Sequence, residues 1–496
     1  MALGHRLPKT LPEWIATTTL APAPANPFYQ RLNEVLQEAD FDPFVEDLCR
    51  PYYADGLGRR GIPPGIYFRM LFVGYFEGFG SQRAIAWHCG DSRSLREFLG
   101  YLPTELTPDH SSLTKVRQRL PEVVHEQVFA WVLQLAQAKG LRPGKTAGVD
   151  STFLEANASL KAIERRDTGD DWKAYLRKLA AEAGIENPSD EDLRRLDRRR
   201  KDKKVSNAEW VSATDSDSRI TKMKDGTTHL AYKAEHVVDL KTDLVLAAAV
   251  YPADQPDSGT LLPSVVAAQL NLFRADRMAS GAEAVTGPGK PTDRVTVIEE
   301  AVTDKGYHKV EALVDCAAAG VRTYSGEQRR PRGHVWTDKP AGWEKAYRAN
   351  RRRNRGVRGK RLQKKRSEYV ERTFAHVCET GGGRRSWLRG LGRVSKRYLM
   401  QVAGHNLGVL MRRLFGRGTP RGLQGACVAL LAWIWTWGTA WLARAAAPAR
   451  YLASNVIVAA YEKRHRWSVS VHQDHEFFNR LLELRAKRKA GKQWQV

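Results

Sequence analysis

Apolar positions between residues 61 and 140 recur at helical spacing, after which short strand-like runs alternate with helical stretches. Residues 1–60 are punctuated by proline, with an amphipathic piece around Phe28 to Leu36, and read as an arm leading into a domain. From 61 to 140 the pattern is helical throughout. IPPGIYFRMLFVGYFEGF opens with prolines suited to a first helical turn, and Ser81 and Asp109 or Ser111 stand where N-caps belong. SQRAIAWHC, SLREFLGYL and SSLTKVRQRL follow as short helices. PEVVHEQVFAWVLQLAQAKG closes the region with a core stripe of Val124, Val128, Trp131, Leu135 and Ala138.

The segment TAGVDSTFLE, residues 146–155, is strand-like and apolar, with one carboxylate, Asp150, in its middle. A charged insert at about 161–217 has helical stretches but little apolar periodicity, and reads as a surface excursion. LAYKAEHVVD and LVLAAAVY form two strands joined by DLKTD, with Tyr232, Ala234, His236 and Val238 on one face; His236 reads as a packed core histidine. Asp257 reads as the cap of a helix that turns Leu261, Leu262, Val265 and Val266 one way. RVTVIEEAVTD is a strand with Asp304 at its end, and the helix after it carries Val310, Leu313, Val314 and Ala317 inward until Gly320 stops it before the strand VRTYS. SEYVERTFAHV is a helix with buried stripe Val370, Phe374 and Val377. This order predicts an α/β mixed sheet flanked by helices, in which ligands gather at the carboxyl ends of strands.

Charge changes the picture. The 496 residues carry a formal net charge of +25, and an excess of that size points to a polyanionic partner such as nucleic acid. The excess is clustered: Arg348 to Arg366 holds 11 Lys or Arg and no acid, a density that would repel itself without an anion against it. Within it Arg351, Arg352, Arg353, Arg355, Arg358, Lys360 and Arg361 are candidate phosphate contacts, as are Arg384 and Arg385 after the glycine turn 381–383. Lys115, Arg117 and Arg119, beside Thr114 and Gln118 on a short helix, suit contacts to phosphates and base edges. Five cysteines form no CxxC pair, so neither a disulfide framework nor a zinc module is indicated, and no signal peptide is legible at the N-terminus. Residues 425–443 are uncharged and nearly long enough to span a bilayer. Their four Trp are spread along the segment rather than gathered at its ends, which favours packing on the core or on another subunit over a membrane helix.

An ionised carboxylate in an apolar strand needs a paired charge or a metal. Asp150 has two acids in comparable settings, Asp304 and Glu371, and three acids converging from three elements would cage a divalent cation. Glu371 is favoured over Glu368 because Val370 and Phe374 place it near the core boundary. Such a set suits two Mg²⁺ ions, with Mn²⁺ as a substitute, acting on phosphoryl transfer. GxSxG, GxxxxGK[ST] and HExxH motifs are absent, which removes the serine-hydrolase, P-loop and zincin classes.

GVDSTFLEANAS, AVTDKGYH, and SEYVERTFAH followed by TGGGRRSWLRG resemble the three catalytic blocks of bacterial insertion-sequence transposases of the DDE class. The similarity extends to ITKMKDGTTHLAYKAEHVVD, NRRRNRGVRGKRL and KRYLMQVAGHNLGVLMRRLFGRGTPRGLQG, and the N-terminal helices are similar to the helical DNA-binding domain preceding that core. The resemblance implies a ribonuclease H-like catalytic domain at 141–415 after a DNA-binding domain at 61–140, with a helical tail at 416–496. It implies Asp150, Asp304 and Glu371 as metal ligands, and double-stranded DNA, both element ends and target, as substrate for a homo-oligomer in the bacterial cytoplasm, associated with the nucleoid. Some relatives place Tyr, Arg and Lys at fixed offsets around the catalytic Glu; here those offsets hold Lys364, Ser367 and Cys378. An inactive DNA-binding relic and a hydrolytic nuclease are the alternatives.

Overall fold

The strand bearing Asp150, β1 (Thr146–Glu155), lies inside the sheet with partners on both edges. The computed structural model describes residues 26–54, 61–200, 206–223, 225–280, 296–327 and 335–420. Two small strands, β2 (Ile163–Arg165) and β3 (Trp210–Ser212), pair with each other in the insert. The main sheet continues with β4 (Arg219–Lys222), β5 (Thr228–Asp239), β6 (Val245–Pro252), β7 (Glu300–Thr303) and β8 (Arg322–Ser325). Its order is β4-β5-β1-β7-β8, with β6 also on β5. β5 runs antiparallel to β1 and β6 antiparallel to β5, whereas β7 is parallel to β1 and β8 parallel to β7. This is the ribonuclease H-like mixed sheet expected from the sequence.

Helices α1 (Pro27–Glu38), α2 (Phe41–Cys49), α3 (Pro64–Phe76), α4 (Gln82–Asp91), α5 (Arg93–Phe98), α6 (His110–Arg119) and α7 (Glu122–Ala138) precede the sheet. Ser81 and Asp109 cap α4 and α6, each accepting from a backbone N–H three residues on. Residues 27–52 are helical and packed, with Phe28, Leu32, Phe41 and Val45 fully buried in the core that α3 and α7 share. On α7 the stripe from Val124 to Leu135 is buried as expected, but Ala138 is exposed and Phe129, Val132 and Leu133 are buried as well.

The insert is a folded layer. α8 (Trp172–Glu182) and α9 (Asp190–Arg199) close a cluster of Leu176, Ala180 and Leu193 beside β2 and β3. The helix α10 (Asp257–Ala279) covers one face of the sheet. Its N-cap is Pro256, so Asp257 is its first residue and not its cap; Leu261 and Val265 are buried while Val266 is exposed. α11 (Val310–Ala318) turns inward Ala312, Leu313 and Cys316, a face rotated from the expected one.

The basic run forms α12 (Trp343–Arg355) and α13 (Val357–Phe374), broken at Gly356. The stripe Val370, Phe374 and Val377 is buried as expected, against β1 and β5. His236 is fully buried, stacked on Phe374 at 4.1 Å, with its ring nitrogens on Thr373 Oγ1 (2.9 Å) and Tyr398 OH (2.8 Å), so it is the core histidine read from the sequence. α14 (Leu391–Phe415) is buried along most of its length and packs on α3, α7 and β6. Asn406 from its middle bonds both backbone groups of Val245, at 2.9 and 2.8 Å, where β6 begins. Four cysteines, Cys49, Cys89, Cys316 and Cys378, are buried and free. The expected tail, including residues 425–443, lies outside the described residues apart from 416–420.

Candidate active site

Parallel pairing sets Val149 of β1 opposite Thr303 of β7. One residue further along each strand stand Asp150 and Asp304, side by side where β7 ends and β1 continues. Asp150 is mostly buried; burial pushes its carboxyl pKa up, Arg366 opposes that rise and Asp304 adds to it. Arg366 Nη1 lies 2.6 Å from Asp150 Oδ2, and the Ser151 N–H donates to Oδ1 at 2.8 Å. Asp304 caps the single 3-10 turn Lys305–Tyr307, its Oδ1 accepting from Gly306 N at 2.8 Å.

A methyl group on Gly306 would sit 2.9 Å from Asp257 Oδ2 and 3.1 Å from Asp304 Oδ1, so Asp257 adjoins the pair. Asp257 accepts from Ser151 Oγ at 2.9 Å and pairs with Lys233 Nζ at 3.2 Å. Lys233 is buried and also donates to Thr260 Oγ1, which donates to Glu235 Oε2 together with Tyr307 OH. Burial pushes the Glu235 carboxyl up despite these bonds. Side chains alternate across a strand, so Asp150 faces α13 and Ser151 faces α10. The Lys233–Glu235–Tyr307 network therefore braces the strand ends from beneath the acids.

The third acid stands apart. Glu371 is exposed on α13, its Oε1 accepting from Ser367 Oγ at 2.7 Å; Glu368 is exposed too and paired with Arg372. The α13 side chain that meets Asp150 is Arg366. Among the described residues no group of three His, Cys, Asp or Glu side chains is arranged to hold a metal. The Asp150 and Asp304 carboxylates still fit a hard cation, because a guanidinium already occupies a cation's place against Asp150.

The basic candidates divide by burial. Lys115 and Arg119 are exposed on α6, with Arg119 over the Tyr53 ring, but Arg117 is buried. Arg351, Arg352, Arg355, Lys360 and Arg361 are exposed. Arg353 and Arg358 hold structure, bonding Thr323 O at 3.0 Å and Glu300 at 2.6 Å. Arg384 donates to Phe153 O and Thr152 Oγ1 on β1, and Arg385 stacks over Trp387. Sequence reasoning passed over Arg366, Asp257 and Lys233. Arg366 could have been found, since it lies one turn before Val370 on the buried stripe of α13.

Two family models match the chain: a "Transposase domain (DUF772)" over residues 19–119 and a "Transposase DDE domain" over residues 293–411. Both are transposase families, so the matches support an insertion-sequence transposase of the DDE class. No curated protein and no solved structure matches it. The DDE-domain match holds Asp304 and Glu371 and begins beyond Asp150, so the place of Asp150 rests on its strand register. The other match takes in α1 and α2 and ends at Arg119, the last residue of α6. No helix among the described residues is long and apolar enough to cross a membrane.

Proposed function

We propose that this transposase binds the terminal inverted repeats of its element, cuts DNA at the element ends and joins the freed 3′ hydroxyl to target DNA. Asp150, Asp304 and Glu371 are the metal-holding carboxylates of this reading, and the exposed cations of α6, α12 and α13 carry the DNA. The observation that supports it is the pair Asp150 and Asp304 at adjacent parallel strand ends with a cation against one of them. Two Mg²⁺ ions, when bound, would activate the attacking hydroxyl or water and stabilise the leaving oxygen.

The chain's own residues prepare that site. Arg366 neutralises Asp150, and Gly306 N holds Asp304 at the end of β7. Asp257, Lys233 and Glu235 fix the strand ends from the far face. Glu371 completes the set by giving up Ser367. The helical region 61–140 serves DNA binding in this reading, residues 141–415 the chemistry, and the active form is a homo-oligomer on DNA in the bacterial cytoplasm.

The test is cleavage and strand transfer on DNA carrying the element's own ends, with and without Mg²⁺ or Mn²⁺. Asp150→Asn and Asp304→Asn should each abolish both steps while DNA binding persists, and retained strand transfer in either variant sinks the assignment. Glu371→Gln should behave the same way; if Glu368→Gln does so instead, the third acid is Glu368.

A further inference from the structure

A cavity of about 310 Å³ lies between the N-terminal helices and the catalytic sheet, away from the acids. Its walls come from the start of α4, from α6, from the glycine turn 382–383 and from α14, and Leu154 of β1 reaches it. Four guanidinium groups line it, Arg83, Arg117, Arg385 and Arg397, and no carboxylate does. Arg117 is 7% exposed and Arg397 9%. Nε and Nη1 of both have no acceptor, although Arg397 Nη2 donates to Phe79 O at 2.6 Å.

Two buried guanidinium groups without an acid are costly, since buried charge needs pairing. Burial pushes the Arg397 pKa down to about 10, with Arg117 adding to the fall and Tyr67 opposing it. A third cation, Lys396, donates to the carbonyls of Arg117 and Leu120 at 3.3 and 2.8 Å. The walls meet closely. A methyl on Gly80 would meet Trp387 Nε1 at 2.9 Å, and one on Gly382 would meet Gly78 O at 2.6 Å, so the two halves touch where only glycine fits.

We propose that this cavity is a phosphate-binding site that captures one backbone phosphate of duplex DNA, with Arg117 and Arg397 at its base and Arg83 and Arg385 at its mouth. The inference rests on the reading of the chain as a DNA-acting enzyme and adds a site to it. Leu154 is four residues beyond Asp150 on β1, roughly 13 Å at strand rise. A strand whose reacting phosphate lies at Asp150 would present a nearby phosphate to the cavity, and the N-terminal helices would close on the same DNA that the acids cut.

The experiment measures the affinity of the full chain for a duplex of unrelated sequence across a salt series, which isolates the phosphate contribution. Arg117→Gln and Arg397→Gln should each weaken binding about tenfold and lower the log–log salt slope by about one. Arg385→Gln, at the exposed mouth, should lower the slope without disturbing the core. In parallel, inorganic phosphate should raise the melting temperature of the wild-type chain above chloride at equal ionic strength, and should not do so in Arg117→Gln. Phosphate stabilisation with unchanged slopes in all three variants would overturn the DNA assignment in favour of a free anion. Unchanged slopes with no phosphate stabilisation would overturn the site altogether. Asp150→Asn should keep the wild-type slope while losing strand transfer. Lowered slopes in a chain that never joins DNA would refute the proposed function and uphold the cavity.

Discussion

Arg366 and Asp150 form a mostly buried pair whose value depends on what else can neutralise the acid. Breaking such a pair strands a charge. Arg366→Met should therefore lower stability by about 1–3 kcal/mol in metal-free buffer. Millimolar Mg²⁺ should restore more of the melting temperature in the variant than it adds to the wild type, because a ligand bound only by the native state stabilises it. Equal Mg²⁺ effects on both proteins would argue against a cation at Asp150. His125 sets a second prediction. It is fully buried, Nδ1 lies 3.0 Å from Pro121 O and Nε2 3.1 Å from Tyr67 OH, and burial lowers its pKa to about 4. A histidine held neutral in the fold contributes stability above its unfolded pKa near 6.5, and that contribution is lost as pH falls from there toward about 4. Between pH 7 and pH 5 the loss from this group is about 2 kcal/mol. Denaturant unfolding at the two pH values should show a smaller difference in His125→Gln. At this scale the placing of Asp150 in the middle of an apolar strand and of Asp304 at the end of a later one was readable from the sequence. Arg366 stands out from the run of eleven cations only by its place one turn before Val370 on the buried stripe of α13.

The element that joins fold to site is α13, which crosses the sheet so that Gln363 bonds Thr303 O and Tyr324 O, Arg366 reaches β1, and Thr373 reaches His236 on β5. It lies so close to β1 that a methyl on Gly148 would stand 3.0 Å from Val370 Cγ2, 3.2 Å from Arg366 Cγ and 2.9 Å from Leu240 Cδ2. Gly148→Ala should lift α13, cost about 1–3 kcal/mol and loosen the Arg366–Asp150 pair. Hydrogen exchange at the α13 amides, faster in the variant than in wild type, checks this against a purely local effect. The bounds of β1 were readable from its apolar run, and the inward stripe of α13 from its spacing. The faces of α10 and α11 were misplaced. Both helices have apolar residues on more than one side, so their orientation is decided by contacts that local periodicity does not contain, those of α10 with the sheet and α7 and those of α11 with β8, α10 and α12.

Across the described molecule, the change from helices to strands near residue 140 is a change of element type without a break in packing. α14 packs on α3 and α7: Gly404 fits against the Tyr75 ring, Tyr75 OH lies 3.3 Å from His405 Nδ1, and Arg274 on α10 pairs with Glu126 on α7 at 2.9 Å. A fragment of residues 61–140 should therefore fail to give a cooperative melt. In the full chain, fluorescence and far-ultraviolet circular dichroism should show these helices unfolding together with the sheet. A fragment that melts cooperatively alone would refute a shared core. The sequence could not disclose this arrangement, because the helix that fills the space between the two regions comes some 250 residues after the helices it covers.

The one-to-one pairing of Val149 with Thr303 bears on how this chain can drift over generations. Because side chains alternate along a strand, adding or removing one residue in β1 upstream of Asp150, or in β7 upstream of Asp304, would turn that acid to the opposite surface. Conservative replacements at Ala147, Val149, Ala301 and Val302 would be survivable, whereas any single-codon change of length there would be lethal to the reaction. In the insert at 161–217, by contrast, lengthening should be tolerated in the turn 183–188 between α8 and α9, outside its buried cluster and paired strands, and copies of this gene that remain active should differ in size there and not in the two short strands.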